Sequence, residues 1–382
     1  MLSLALVLRL NVSANNPHCT KPRTVSSNIK RPHPIPMNDI YKQIVTDDKL
    51  NDKFKLLSQS KLFDPAKKII ENIAKLMADK DGNFIQQLQS DGFDARIWEI
   101  YLFILFKEIG FAQSDKYDRP DFHLYKNEVE VFVEASLSAE KADDIFSKEF
   151  IEEAKAKNDL VVQQQLIDYY IIRMGSVLFS KLNKKYWELD WVKGKPLILA
   201  ITPAHNYLAS FLPDAKLIEY LYGIRQRVNI TENGVENLGA EIVSEIKLGN
   251  KVIPANFFGQ PLAENISGIL FTNNSDLHKF NRMAYQDALS QEELIIVRAG
   301  AKHNTKIGEK ATEFTYQVKP NEGIENWCES VTLFHNPNAL HKIDKKTFDY
   351  IRQLWIEPDK TFNGIMPNEF VFHSVTGVMK VE

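Results

Sequence analysis

Cysteine is nearly absent: there are two, Cys19 and Cys328, in a chain of 382 residues. They stand more than 300 positions apart. No disulfide framework and no cysteine-based zinc site can be built from such a pair, and a reducing, cytoplasmic compartment is the expectation. Long apolar runs are missing too. No window approaches the roughly 18 apolar residues that a membrane-spanning helix needs, so no membrane partner is expected. An excess of one charge is also lacking, because 47 Lys and Arg face 50 Asp and Glu for a formal net charge of -3. That balance excludes a histone-like or basic-arm protein, though a local basic face can sit on a neutral chain. Finally, there is no Walker loop, dinucleotide-binding glycine motif, His-Glu-x-x-His, Gly-x-Ser-x-Gly or zinc-finger spacing. Kinase, dehydrogenase, zinc protease and α/β-hydrolase readings therefore lose support.

What is present is an ordinary globular composition, 44% hydrophobic and 25% charged, over a length that suits two domains or one enlarged core. Residues 2–8 are apolar, but no positive charge precedes them and the run is short for a signal peptide. Residues 1–36 are read as disordered or as an extension upstream of a true start at Met37; a weak secretory signal is the alternative. Residues 37–92 read as a helical segment, with Asp64-Pro65 opening one helix. The stretch 93–109 reads as a helix buried on most sides and closed by Gly110, which makes Glu99 inside it unusual. Asp121–Tyr125 and Val129–Glu134 read as a hairpin around Lys126-Asn127-Glu128. A charged helix over 139–157 and a long helix over 161–188 are expected next. Leu197–Ile201 reads as a fully buried strand, parallel to a neighbour. Residues 206–382 read as a mixed α/β region. Helices are expected there at 214–227, 276–289 and 345–354. Strands are expected at 240–247, 266–272, 293–298, 313–318 and 329–335.

The hairpin can be read in register. With Asn127-Glu128 as a two-residue turn, paired positions sum to 255, which sets Asp121 opposite Glu134. Opposed Cβ atoms lie about 4.5–5.5 Å apart. Alternation places Phe122, Leu124, Val129, Val131, Val133 and Ala135 on a core face. Asp121, His123, Tyr125, Glu130, Phe132, Glu134 and Ser136 occupy the other. Two carboxylates that close repel unless a cation sits between them, and oxygen ligands of this kind suit a hard divalent ion. A solvated strand face bearing two acids is the alternative.

Arg119-Pro120-Asp121, twelve intervening residues and Glu134-Ala135-Ser136 resemble the PD-(D/E)XK motif of restriction-endonuclease-like nucleases. The surrounding order, α-β-β-α-β over residues 93–205, is similar to the family core and covers about 110 of the 382 residues. The resemblance implies an α/β (α+β) fold with a restriction-endonuclease-like core. It also implies Asp121, Glu134 and Glu99 as ligands of Mg2+ or Mn2+, and hydrolysis of DNA phosphodiester bonds in repair or defence. The motif's lysine falls at position 136, where this chain has Ser136. Serine supplies no positive charge to the reaction. Lys181 or Lys184, on the helix that follows, are candidates to replace it. A catalytically inactive module on the same fold, binding nucleic acid or a protein partner, is the alternative function.

That helix carries further candidates. Arg173, Val177, Ser180, Lys181 and Lys184 share one flank at helical spacing. Gly175-Ser176 would let the helix approach the sheet closely. Over 173–195 six basic residues (Arg173, Lys181, Lys184, Lys185, Lys193, Lys195) face Glu188 and Asp190, a net +4, with Tyr186, Trp187 and Trp191 interleaved. Basic residues with aromatics suit a phosphate backbone and base stacking, so DNA contacts are assigned to Arg173, Lys181, Lys184 and Lys185. A solvated helix end is the plain alternative. His123 is open between ligand, water relay and packing; His205 follows the buried strand. Lys279–Arg282 and His335–Asn338 are polar spots suited to lining a cleft. Residues 181–187 and 279–283 are also similar to a group of bacterial proteins to which no activity attaches. A homodimer remains open.

Overall fold

A computed structural model describes residues 37–381 apart from 38, 81, 140–159, 205–210, 213, 232–233, 305, 307–308 and 359–360. Cys19, His205, the extension 1–36 and nearly all of the helix expected at 139–157 lie outside the described residues.

The chain enters through three short helices, α1 (Asp52–Gln59), α2 (Asp64–Ala74) and α3 (Phe84–Gln89), and a longer one, α4 (Phe93–Ile109). Asn51 caps α1 by accepting the backbone N–H groups of Lys53 and Phe54, and Pro65 stands in the first turn of α2. Gly110, at φ +94°, ends α4 in the left-handed conformation that glycine adopts without a Cβ clash. β1 (Ala112–Ser114), β2 (Phe122–Lys126) and β3 (Val129–Ala139) follow, then α5 (Leu160–Leu182) and β4 (Leu197–Ala204). The second half holds α6 (Asp214–Tyr222), the ribbons β5 (Ile224–Thr231) with β6 (Gly234–Ile242) and β7 (Glu245–Leu248) with β8 (Lys251–Pro254), β9 (Gly268–Phe271) and α7 (Leu277–Gln286). It ends with β10 (Leu294–Lys302), β11 (Thr312–Val318), β12 (Thr332–His335), β13 (Arg352–Ile356), β14 (Phe362–Ile365) and β15 (Val371–Lys380).

The fold is mixed α/β, built on an eight-stranded mixed sheet in the order β1-β2-β3-β4-β9-β12-β13-β14. β3, β4 and β9 run parallel, as the apolar run of β4 demanded, since such a strand is buried on both faces. Strands from both sides of residue 205 share this sheet. A smaller sheet, β11-β10-β15, packs its Leu294, Ile296 and Val318 against Tyr285 of α7. One apolar core joins α1–α4 and α7 to the sheet face that carries Leu124, Val131 and Val133. A second joins α5 and α6 to the opposite face through Phe132, Leu197, Leu199 and Ile201. The polar face of the hairpin is thus covered: His123 is 1% and Glu134 4% exposed. No helix among the described residues is long and apolar enough to cross a membrane.

Several expectations need correction. The helix expected at 214–227 stops at Tyr222, because Gly223 (φ +68°) turns the chain left-handed and β5 begins. The strand expected at 240–247 is two strands split between β6 and β7. The helix expected at 345–354 is a 3-10 turn at Lys345–Phe348 followed by strand β13. β13 is recruited into the sheet by parallel pairing with β12, a long-range partner that overrides local preference. Gly175 does allow a close approach, but to the Tyr220 ring of α6 and Ile253 of β8 rather than to the main sheet.

Candidate active site

The hairpin has the register expected from its turn. Phe122 pairs with Val133 and His123 with Phe132, and Asn127 supplies the left-handed turn residue at φ +55°. This brings Asp121, just before β2, to the middle of β3. Its Oδ2 accepts the Ala135 backbone N–H at 2.7 Å. Glu134, the neighbour of Ala135, points to the α5 side of the sheet. There its Oε1 accepts the Lys181 ammonium at 2.5 Å and the Tyr186 hydroxyl at 2.8 Å. These contacts leave Asp121 Oδ1 and Glu134 Oε2 without a donor among the described residues.

Burial first, then the charges of Glu134 and Glu99, push the Asp121 carboxyl from its ordinary 3.8 up to about 7. The Ala135 N–H and Lys181 offset only part of that. Burial likewise raises the Tyr186 hydroxyl, and the Glu134 carboxylate adds to it, so the phenol stays protonated and donates. On the α4 side, Asp121 borders a cleft also lined by Asp79, Arg96, Glu99, Asp115 and Asp118. Glu99 is held there by Arg96, whose Nη1 donates to its Oε2 at 2.6 Å. Among the described residues no group of three or more His, Cys, Asp or Glu side chains forms a ready ligand set for a metal ion.

The other expected residues fall into two groups. Lys181 reaches the Glu134 carboxylate because it lies in the last turn of α5. Lys184 does not: the helix ends at Leu182, so the flank it was assigned to no longer exists, and its side chain is exposed. Arg173 is drawn inward, donating to the Ala139 carbonyl at 2.6 Å and the Tyr169 hydroxyl at 3.0 Å. The basic stretch is partly neutralised by its own neighbours: Lys185 pairs with Glu188, Lys193 with Asp190 and Lys195 with Glu130.

His123 is a packing residue. Its ring stacks on Phe132 at 4.3 Å, and its Nε2–H donates to Glu130 Oε1 at 2.6 Å. Glu130 also accepts from Tyr125 and Lys195, which hold it ionised and fix that proton on Nε2. His335 is buried, its pKa lowered to about 4, and it donates to Gln353. Asn336 and Asn338 donate to the carbonyls of Ala263, Ile266 and Phe258, fastening a turn. Lys279 and Arg282 are both buried in an ion cluster with Glu325.

Tyr186 as a donor to Glu134 escaped the sequence reading. It lies in a 3-10 turn beyond α5 and 52 residues from its partner, and the only signal was its place among the basic residues. No family model, no curated protein and no solved structure matches the chain.

Proposed function

We propose that the chain is a metal-dependent phosphodiester hydrolase acting on DNA, built on a restriction-endonuclease-like core formed by α4, β2, β3, α5 and β4. The observation that carries this reading is the convergence of Asp121, Glu134 and Lys181, from three separate elements, at one point of the sheet. The carboxylate oxygens of Asp121 and Glu134 are the donor type that Mg2+ or Mn2+ takes, with Glu99 assisting from α4. A carboxyl such as Asp121, its proton affinity raised by burial first and then by the charges of Glu134 and Glu99, is what a cation site displays before a cation arrives. Bound metal would polarise the phosphoryl group and lower the pKa of the attacking water.

The chain's own residues supply the rest. Lys181 offers the positive charge that Ser136 cannot, either to the attacking water or to the developing charge on phosphorus. Tyr186 fixes the orientation of Glu134. Lys184 and Lys185, both exposed, are suited to backbone phosphates. Repair or defence against foreign DNA would use such an activity.

One observation favours the second reading, a catalytically inactive nuclease-fold module that binds nucleic acid or a protein. Lys181 neutralises Glu134, and the Ser136 hydroxyl at the motif position is buried with no hydrogen-bond partner among the described residues. Titration calorimetry with Mg2+ and Mn2+ on wild type and Asp121→Ala, alongside cleavage assays on single- and double-stranded DNA, separates the two. Heat that disappears in the variant together with metal-dependent cleavage supports the hydrolase. Identical heats and no cleavage of any DNA overturn it.

A further inference from the structure

Beside the carboxylate pair, two loops meet through aromatic rings. Tyr117 and Trp191 stack at 4.8 Å and 6° between planes. Tyr117 is anchored inward by His123 at 5.3 Å and Phe132 at 6.5 Å. The Trp191 Nε1–H donates to the Arg119 carbonyl at 2.8 Å, which locks the indole to the strand entry two residues before Asp121. Trp191 is only half-buried, so a fixed ring keeps surface in solvent. The Tyr117 loop carries two cations: Lys116 Nζ lies 4.9 Å from the Tyr117 ring centre, and Lys116 and Arg119 are both exposed. Arg119 is near enough for its charge to act on the Tyr186 hydroxyl, and Tyr186 itself touches Glu134.

We propose that Trp191, braced by Tyr117, is a base-stacking platform that receives single-stranded DNA, with Lys116 and Arg119 contacting its phosphates. This rests on the hydrolase reading for the identity of the scissile bond. The platform presents a ring, and a ring reads the face of a base; in a duplex those faces are stacked on each other, so an unpaired strand is the fitting partner. The ring is held before the ligand arrives, by one hydrogen bond and one stack, so little side-chain freedom is lost on binding. Tyr117 precedes Asp121 by four residues, at most about 14 Å of extended chain. A base on the platform therefore leaves the backbone of the next nucleotides beside Asp121 and Glu134.

The test is binding of fluorescein-labelled dT15 by anisotropy in EDTA, with a blunt duplex of equal length as comparator, on wild type, Trp191→Phe and Trp191→Leu. Phe keeps a ring but loses the indole N–H; Leu keeps apolar volume and loses the ring. Wild type should prefer dT15 over duplex, and tryptophan fluorescence should be quenched on binding. Trp191→Leu should weaken dT15 binding roughly ten- to hundredfold, while Trp191→Phe should stay within a few fold of wild type. Equal affinity in wild type and Trp191→Leu, or preference for duplex, overturns the platform. If Trp191→Leu does not fold, absence of quenching in wild type, or a full loss of binding in folded Trp191→Phe, overturns it equally. Because EDTA removes divalent metal, the platform can stand when cleavage is absent, and it can fall when cleavage that depends on Asp121 is present.

Discussion

Replacing Asp121 by Asn should make the metal-free protein more stable at pH 8. The substitution keeps the shape and lets the amide oxygen continue to accept the Ala135 N–H. It removes a charge that burial and two neighbouring acids disfavour. Raising a carboxyl from about 3.8 to about 7 corresponds, at 1.36 kcal/mol per pH unit, to roughly 4 kcal/mol of destabilisation once pH exceeds 7. Asp121 keeps part of its surface in solvent, so about 4 kcal/mol is an upper limit. The direction with pH follows from the raised value: the protonated acid is favoured in the fold, its contribution is complete below pH 4, and it is lost as pH climbs from 4 to 7. The advantage of Asp121→Asn should therefore be largest at pH 8, about 2 kcal/mol or less at pH 5 and absent at pH 3. Urea denaturation in EDTA at these three pH values measures it. Adding Mg2+ at pH 8 should stabilise the wild type and leave the variant unchanged, because a cation relieves the same repulsion. A variant no more stable than wild type at pH 8, with a gap that does not shrink on acidification, would refute the claim that burial and the neighbouring acids disfavour the Asp121 charge.

Lys181→Met should destabilise by several kcal/mol, since it strands the buried Glu134 carboxylate, whereas Lys184→Met, on an exposed side chain, should stay within about 0.5 kcal/mol; thermal melts distinguish the two. Within the buried cluster, Glu325 takes Lys279 at 2.6 Å, Arg282 at 2.8 Å and Arg298 at 3.4 Å. Glu325→Gln removes the carboxylate that those three cations share and should cost about 3–5 kcal/mol, while Lys279→Met leaves Arg282 and Arg298 paired with Glu325 and should cost clearly less. A reversed order in urea denaturation would show that the cluster is not charge-limited. Arg282, Lys279 and Arg298 outweigh burial and hold Glu325 well below the ordinary carboxylate range. Its contribution is present at neutral pH and is lost as pH falls below about 4 toward the folded value.

Legibility in the sequence followed the range of the interaction. The hairpin register was readable because it depends on a turn of adjacent residues and a two-residue alternation, and Asn127 takes up the left-handed conformation that such a turn needs. Helix α4 was readable from its apolar run and Gly110. The end of α6 was also written locally, at Gly223, although a helix was expected to run on to 227. β13 was not readable. Ile351 and Leu354 fit a helix as well as a buried strand, and only the pairing of Arg352 with Thr332 decides between them. Lys279 and Arg282 are i, i+3 neighbours that resemble a solvated face until Glu325, more than 40 residues on, is folded over them.

The sequence by itself determined the α/β elements around the hairpin, the opposition of Asp121 to the Glu134 region, and a basic helix end. Each comes from contacts along a few residues, where steric and hydrogen-bond preferences act alone. Only the tertiary structure decided that the hairpin's second face is buried under α5, that Lys181 rather than Lys184 meets Glu134, and that Tyr186 joins them. Those outcomes turn on where α5 stops and how it crosses β3. A helix ending two residues before Lys184 changes which ammonium reaches a carboxylate 47 residues away, and that crossing is set by packing of two cores rather than by any local pattern.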